Sequence, residues 1–164
     1  MSNALEHSHG PYLISDDPAR LEATAIHAYL TRSYWSENIP LETVQRALRG
    51  SLCIGAYLLS GESSAAKASE DTQVGLVRII SDHATYAYLC DVYVLEEHRG
   101  HGLSKAMLAL TLRHPKLQGL RSWSLRTRDA HGLYAPFGFK PLEHPESYMA
   151  LRFPDVYRQP DEDE

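Results

Sequence analysis

Apolar residues recur along the chain at two spacings, and each spacing predicts one kind of element. Apolar positions three or four residues apart are typical of a helix with one buried face. They occur in residues 17–33, 40–50 and 103–114, and Pro115 ends the third of these segments. A short helix is also expected at 129–137.

Runs rich in β-branched and aromatic residues predict the strands. They lie at residues 51–59, 73–80, 85–95 and 121–127, with two short final strands at 139–142 and 148–153. Only residues 81–84 separate the second run from the third, and a parallel pair needs a crossover of a dozen or more residues. These two strands are therefore antiparallel, and the element order predicts a mixed α and β domain with at least one parallel crossover.

Composition places the chain among ordinary globular proteins and excludes two classes of partner. It is 43% apolar and 23% charged over 164 residues. The formal charge of −5 is mostly local, since residues 161–164 supply four of 21 acidic residues and leave 17 against 16 Lys and Arg. A nearly neutral body gives no basic footprint for nucleic acid, and no apolar run approaches the roughly 18 residues of a membrane span.

These observations predict one domain with short flanking segments. The domain is expected at residues 11–156, between a flexible N-terminus or cloning remnant at 1–10 and an acidic flexible tail at 157–164. Cys53 and Cys90 lie in apolar strand-like runs, which indicates small buried hydrophobes rather than a disulfide or metal set. This cysteine usage indicates an intracellular location, expected to be cytoplasmic. The first ten residues lack the apolar core of a signal peptide.

A glycine-rich loop, Arg99–Ser104 (RGHGLS), follows a predicted strand and opens a predicted helix. Backbone N–H groups at a helix N-terminus favour a phosphate or pyrophosphate. A Walker loop is excluded because leucine follows the second glycine where that loop needs lysine. A dinucleotide fingerprint lacks its third glycine, with Lys105 in that place, but stays open as the weaker alternative because Arg126 and Arg128 could meet an NADP phosphate. A G-x-G pair by itself is more often a plain tight turn.

Two motifs together resemble the GCN5-related N-acetyltransferase (GNAT) superfamily. Residues 99–104 resemble its pyrophosphate loop, Arg/Gln-x-x-Gly-x-Gly/Ala, with Ser104 in the last position. Residues 130–139 match its later signature, Ala-x-x-Leu-Tyr-x-x-x-Gly-Phe, without a gap, and the strand order agrees from residue 12 to about 153. The resemblance implies the α/β (α+β) GNAT fold, a mixed, mostly antiparallel sheet of about six or seven strands with a splayed parallel pair and about four flanking helices.

The resemblance also implies acetyl-CoA as co-substrate, bound where the parallel strands splay near Val94 and Thr127. The backbone of Val92 and Val94 would bind the pantetheine arm like an added strand, and the amides of the glycine loop would bind the pyrophosphate. Many members carry asparagine where this chain has Thr127. The implied cofactor contacts are Val92, Val94, Arg99, Gly100, His101, Gly102, Leu103, Ser104, Thr127 and Tyr134.

Acetyl transfer from a thioester needs a neutral amine, a donor for the developing oxyanion and a proton for the departing thiolate. Within the resemblance, the Val92 N–H would polarise the acetyl carbonyl. Tyr134, with an ordinary phenol pKa of about 10, would protonate the thiolate, or else it anchors the short helix. Asp91 is the one acidic residue in an apolar strand, and either serves the acceptor site as a catalytic carboxylate or holds a strand bulge. His131 is either a proton shuttle or a surface histidine.

Acceptor binding is expected to involve Tyr34 and Trp35 together with Asp91. Two adjacent large aromatics in a polar connection form either a lid or a packing plug. His98 and His101 have His-x-x-His spacing without a second ligand pair, so no metal site is expected.

The sequence therefore predicts an acetyl-CoA-dependent N-acetyltransferase that transfers acetyl directly, in a ternary complex, to a primary amine of a small molecule or peptide. The alternatives are a non-catalytic acyl-CoA sensor and, more weakly, an NADP-binding domain. Neither nucleic acid nor membrane is an expected partner, and a homodimer is a candidate assembly.

Overall fold

The computed structural model describes residues 3–61 and 70–159. Its strands are β1 (Glu6–His9), β2 (Tyr12–Ser15), β3 (Leu52–Leu58), β4 (Thr72–Ser81), β5 (Tyr86–Val94) and β6 (Ser122–Leu125). Its α-helices are α1 (Ala23–Leu30), α2 (Leu41–Arg49), α3 (Leu103–Leu112) and α4 (His131–Tyr134). Short 3-10 turns lie at Pro18–Arg20, Glu96–His98, Pro115–Leu117, Ala135–Phe137 and Pro145–Ser147.

The strands form one six-stranded sheet in the order β1-β2-β3-β4-β5-β6. All neighbouring pairs are antiparallel except β5 and β6, which are parallel and are joined through α3. This is the predicted mixed sheet with one splayed parallel pair and four helices, so the predicted fold class is confirmed.

The turn between β4 and β5 shows why the short connection makes these strands antiparallel. The Asp82 carboxylate accepts backbone N–H groups of Ala84, Thr85 and Tyr86 at 2.8 to 3.2 Å. The Thr85 hydroxyl also donates to this carboxylate, and that bond, followed by the backbone bonds, holds the pKa of the Asp82 carboxyl far below its usual range. A side chain thus closes the turn within four residues.

Each face of the sheet carries a hydrophobic core. On one face α3 buries Leu103, Met107 and Leu110 against residues such as Ile54 and Val77. The other face is covered by α1 and α2, and the residues of this second core are Ile26, Tyr29, Leu30, Ile39, Val44, Cys53, Leu76 and Tyr93. The middle residues of β3 and β4 are buried on both faces, which explains their continuous apolar runs, whereas buried and half-buried residues alternate along most of β5.

Strand β3 contains one unusually close approach. A Cβ placed on Gly55 would lie 2.3 Å from the Tyr57 hydroxyl oxygen, so only glycine leaves room for that ring. Tyr57 is 1% exposed, and its hydroxyl has no hydrogen-bond partner in the described structure.

The N-terminus differs from the expectation. Residues 6–9 are not a flexible extension; they form β1, a hairpin partner of β2 around Gly10, whose φ is +55°. The Leu5 N–H also donates to the Asp16 side chain at 2.7 Å. The strand was missed because its side chains are polar and mostly exposed, as befits an edge strand.

The C-terminal region differs as well. Residues 139–142 and 148–153 carry strand-like sequence but form no strand, and most of their side chains are exposed. The domain also extends past residue 156, because Tyr157 is half-buried against the second core. The remainder of the expected acidic tail, residues 160–164, lies outside the described residues.

Two smaller features complete the description. Cys53 is buried as expected, whereas Cys90 is half-buried; both are free, and burial raises the pKa of each thiol to about 12. Among the described helices, none has the length and apolar character needed to cross a membrane.

Candidate active site

The parallel strands β5 and β6 separate partway along their length. They pair only from Tyr86 with Ser122 to Leu89 with Leu125. Beyond this point residues 90–94 of β5 have no strand neighbour on the β6 side within residues 3–61 and 70–159. The backbone of Val92 and Val94 therefore borders an open wedge.

A bulge in β5 lies at the mouth of this wedge. Cys90 pairs with Arg78 and Tyr93 with Leu76, so two residues of β5 face a single residue of β4. Asp91, at the bulge, has a φ of +50°, in the left-handed region. Such bulges change the direction of a strand and re-aim its peptide groups.

Two clefts meet in the wedge. The first, here the glycine-loop cleft, has a volume of about 820 Å³ and is lined by the end of β5, the glycine loop and the start of α3. The second, the arginine-lined cleft, has a volume of about 1060 Å³. Its arginines are Arg78, Arg126, Arg128, Arg152 and Arg158. The residues that line both clefts are Tyr34, Trp35, Val92, Asp129, Ala130 and Tyr134.

The start of α3 offers unpaired donors to the glycine-loop cleft. The helix has no side-chain cap, and its Ala106 N–H bonds to the Gly102 carbonyl at 3.0 Å. The amides that precede Ala106, including those of Leu103 and Ser104, have no helical partner. Gly100 and Gly102 have φ values of +83° and +75°, which side-chain-bearing residues rarely adopt.

The loop is fixed by side chains so that its amides stay free. The Arg99 guanidinium donates to the Val94 carbonyl at 3.1 Å and to the Tyr29 hydroxyl at 3.2 Å. His9 of β1 lies 2.6 Å from the His101 carbonyl. Uncapped helix amides beside glycines are a suitable site for a pyrophosphate, so the residues present fit a CoA-type ligand.

Tyr134 lies at the junction of the two clefts. It is 7% exposed, and burial, with a smaller effect of Tyr34, raises its pKa to about 12. No hydrogen bond joins its hydroxyl to another described residue, and its ring packs edge-on against Phe139. The phenol is therefore protonated and available at neutral pH.

Tyr34 and Trp35 form the wall between the clefts, and both are held in place. The Arg128 guanidinium lies 3.9 Å from the Tyr34 ring centroid, and the Arg128 N–H donates to the Tyr34 hydroxyl at 3.3 Å. The Trp35 indole N–H donates to Asp91 Oδ1 at 2.9 Å. Yet their exposures are 49% and 39%, so they line the cleft without being packed into the core.

Asp91 has both of its oxygens engaged. Besides Trp35, it accepts from Arg78 Nε at 2.6 Å, and Arg78 also donates to the Ser51 hydroxyl at 3.0 Å. Burial by itself lowers the pKa of the Arg78 guanidinium, but the Asp91 carboxylate outweighs it and holds that pKa above its ordinary value. The arrangement is that of an ion pair supporting the bulge and the tryptophan.

The structure brings together most of the predicted site residues. Val94, Arg99, Gly100, Gly102, Leu103 and Ser104 line the glycine-loop cleft. His101 and His131 line neither cleft. Thr127 lines only the arginine-lined cleft, where its hydroxyl accepts the N–H of Ala130, the residue before α4, at 3.0 Å.

Two features of the site escaped the sequence reasoning. The partner of Asp91 is Arg78, 13 residues away on β4, and residues 152–158 form one wall of the arginine-lined cleft. The signal that could have revealed the partner of Asp91 was Arg78 itself, an arginine within an otherwise apolar run. Across the described ranges, no group of three or more His, Cys, Asp or Glu could hold a metal ion.

This fold, a splayed strand pair beside a glycine-rich helix N-terminus, is that of the GNAT acetyltransferases. Residues 62–141 match the acetyltransferase (GNAT) domain family. The Gibberella zeae protein named "Putative acetyltransferase FG08082" is 39% identical over 137 residues, 76% of each chain. A crystal structure of a Xanthomonas campestris protein of the GNAT family is 43% identical, with a TM-score of 0.80 over 93% of this chain and 100% of that one. The chain belongs to the GNAT family of acetyltransferases.

A more distant structure shares the fold alone. An acetyltransferase of Clostridium acetobutylicum, solved with acetyl-CoA, is 14% identical, with a TM-score of 0.55 over 86% of this chain and 94% of that chain.

Proposed function

We propose that this chain is an acetyl-CoA-dependent N-acetyltransferase that transfers acetyl directly to a primary amine of a small molecule or peptide in a ternary complex. The observation that supports this most is the meeting of two clefts at Tyr134 and Val92. One cleft has the donors for a CoA pyrophosphate and the other is open to an acceptor. Direct transfer needs both ligands bound at once, with the reacting atoms adjacent.

The co-substrate, when bound, supplies an acetyl thioester. The amides at the start of α3 bind its pyrophosphate, and the backbone of Val92 and Val94 binds its pantetheine arm. The Val92 N–H, re-aimed by the bulge, donates to the acetyl oxygen as negative charge develops there. In the overall change a C–N bond forms, the C–S bond breaks, the amine loses a proton to water and the sulfur gains one.

Tyr134 donates the proton that the leaving sulfur takes up, and is then reprotonated from water. Its pKa of about 12 keeps the phenol protonated at neutral pH. Tyr34 and Trp35 form the acceptor wall, and Asp91 acts as a positioning residue because both of its oxygens are already engaged. Free thiols at Cys53 and Cys90 fit a cytoplasmic location.

The test is the Tyr134→Phe variant, assayed for CoA release with a panel of primary amines. The variant loses only a hydroxyl that bonds to no described residue, so stability and acetyl-CoA affinity should stay near those of the parent. We expect kcat to fall by about 10². In the parent, kcat should not decline as pH rises to about 10, because the phenol is protonated until the pH approaches its pKa.

Calorimetry with acetyl-CoA provides the control. Tight binding of acetyl-CoA with no turnover of any amine would contradict the proposal and indicate a sensor. An unchanged kcat in the variant would remove Tyr134 from the mechanism, and binding of NADPH without binding of acetyl-CoA would overturn the cofactor assignment.

A further inference from the structure

The arginine-lined cleft concentrates positive charge that the proposed transfer of an acetyl group does not itself require. Five of the chain's 16 Lys and Arg line this cleft, although the formal charge of the whole chain is −5. All five are arginines, and no lysine is among the described residues of the cleft wall. A cleft lined by charge of one sign attracts ligands of the opposite sign.

Two of the five arginines are compensated by carboxylates of the protein. Arg78 pairs with Asp91 at 2.6 Å, and Arg158 pairs with Asp155 at 3.7 Å. Both of these carboxylates also line the cleft. The charges of Arg78 and Arg158 are therefore already balanced without a ligand.

The other three arginines, Arg126, Arg128 and Arg152, form no ion pair with any described residue. Two further carboxylates line the cleft, those of Glu37 and Asp129, and within the described ranges neither is paired with a cation. Three unpaired arginines thus face two unpaired carboxylates, which leaves the cleft with a net positive charge.

Two of the unpaired arginines directly follow β6, on the open side of the wedge. The Arg128 guanidinium stacks 3.9 Å from the Tyr34 ring centroid, which covers its flat face and leaves its N–H edge free of described partners. Arg126 lies near Tyr88 of β5, where its charge opposes the burial that raises the pKa of that tyrosine. The planar fork of a guanidinium matches the paired oxygens of a carboxylate or a phosphate.

The unpaired arginines share their cleft with the reacting groups. Tyr134 and Val92 line the same cleft, whose volume of about 1060 Å³ suits a small-molecule ligand. An acceptor bound there meets the arginines and the site of transfer at the same time. Positive charge nearby also disfavours the ammonium form of the acceptor, and only the neutral amine attacks the thioester.

We propose that the acceptor is a small primary amine that also carries an anionic group, a carboxylate or a phosphate, bound by Arg126, Arg128 and Arg152. This inference rests on the proposed function and narrows its acceptor to amino acids and phosphate esters of amino alcohols. The same charges repel polyamines, because their additional ammonium groups enter a positive cleft without compensation.

The test compares acceptors that differ only in the anionic group. Glycine, ethanolamine and O-phosphoethanolamine present a similar primary amine beside a carboxylate, a hydroxyl and a phosphate, and larger amino acids are compared with their amino alcohols. In the parent, kcat/KM should be at least about tenfold higher for the anionic member of the preferred pair, because hydrogen bonds to a charged group are lost in the neutral member. The two anions are told apart by which pair shows the preference, and spermidine should be a poor acceptor.

A double variant, Arg126→Gln with Arg152→Gln, removes two guanidinium groups that bond to no described residue, so circular dichroism should show it folded. The preference for the anionic member should fall below about threefold, whereas kcat/KM for the amino alcohols and the affinity for acetyl-CoA stay near those of the parent. The matched control, Arg121→Gln, removes an exposed arginine that lines neither cleft and should keep the preference.

Ligand-observed NMR titrations of the same pairs, with CoA present, measure binding without turnover. Stronger binding of the anionic member with no acetylation of any amine would support the anion site and contradict the proposed transfer. Acceptors that are acetylated and bound equally well with and without the anionic group would overturn the inference and leave the transfer standing. A preference for spermidine, or a preference for the anion that survives in the double variant, would also overturn it.

Discussion

Replacement of Asp91 tests the role of the ion pair beneath the site. Asp91 and Arg78 have side chains 7% and 16% exposed, joined at 2.6 Å. Removal of one member of a buried pair costs about 3 to 5 kcal/mol because the other charge is left without compensation. Arg78 keeps its Ser51 partner and some exposure, so Asp91→Ala should lose about 3 kcal/mol from the pair.

Backbone conformation adds a second contribution. The φ of +50° at Asp91 costs alanine about 1 kcal/mol, whereas asparagine tolerates it. Asp91→Ala is therefore expected to lower the free energy of unfolding by about 4 kcal/mol. Asp91→Asn should lower it by about 3 kcal/mol, since the amide oxygen can still accept from Arg78 or Trp35 but the amide nitrogen cannot accept from the other. Urea unfolding, followed by circular dichroism, measures both.

The same variants separate a positioning role from a catalytic one. If Asp91 only positions Trp35, Asp91→Asn should raise KM for the amine, keep kcat within about tenfold and leave the shape of the pH profile unchanged. A loss of kcat by about 10² with a changed acidic limb would instead make Asp91 the general base. If Asp91→Ala lowers the free energy of unfolding by less than about 1 kcal/mol, the ion-pair argument is refuted. In a protein that already carries Arg78→Met, adding Asp91→Ala should cost less stability than it does in the parent, because the pair is already broken.

Two further substitutions probe the loop and the core. Ser104→Glu places a negative charge at the start of α3, where the charge stabilises the helix but repels a pyrophosphate. Calorimetry should show the affinity for acetyl-CoA lowered by about tenfold or more. The uncharged control, Ser104→Gln, should bind acetyl-CoA about as tightly as the parent. Equal affinities for the two variants would exclude the helix N-terminus as the pyrophosphate site. Gly55→Ala should lower the free energy of unfolding by about 1 to 3 kcal/mol because its Cβ would overlap the Tyr57 ring, whereas Gly132→Ala, with open space around it, should cost little. A Gly55→Ala protein as stable as the parent would show that the ring can move aside.

Local patterns predicted the helices, the central strands and the glycine loop well. The apolar spacing of α3 corresponds to buried Leu103, Met107 and Leu110, because one face of a helix must cover the sheet. The same reasoning missed β1, whose polar edge-strand residues have no apolar alternation to detect. It predicted a strand at 148–153 from composition, but a strand needs a neighbour, and no other described segment of this chain supplies one.

The sequence by itself determined the helices and the central strands β3 to β6, where glycine permits left-handed backbone, and which motifs resemble the GNAT family. All of these depend on residues close together in the chain. Only the tertiary structure decided that Asp91 is paired with Arg78 and Trp35. It also decided that Tyr134 lies where the two clefts meet. Both outcomes depend on the divergence of β5 from β6 and on the bulge opposite β4, contacts between distant segments that no local pattern encodes.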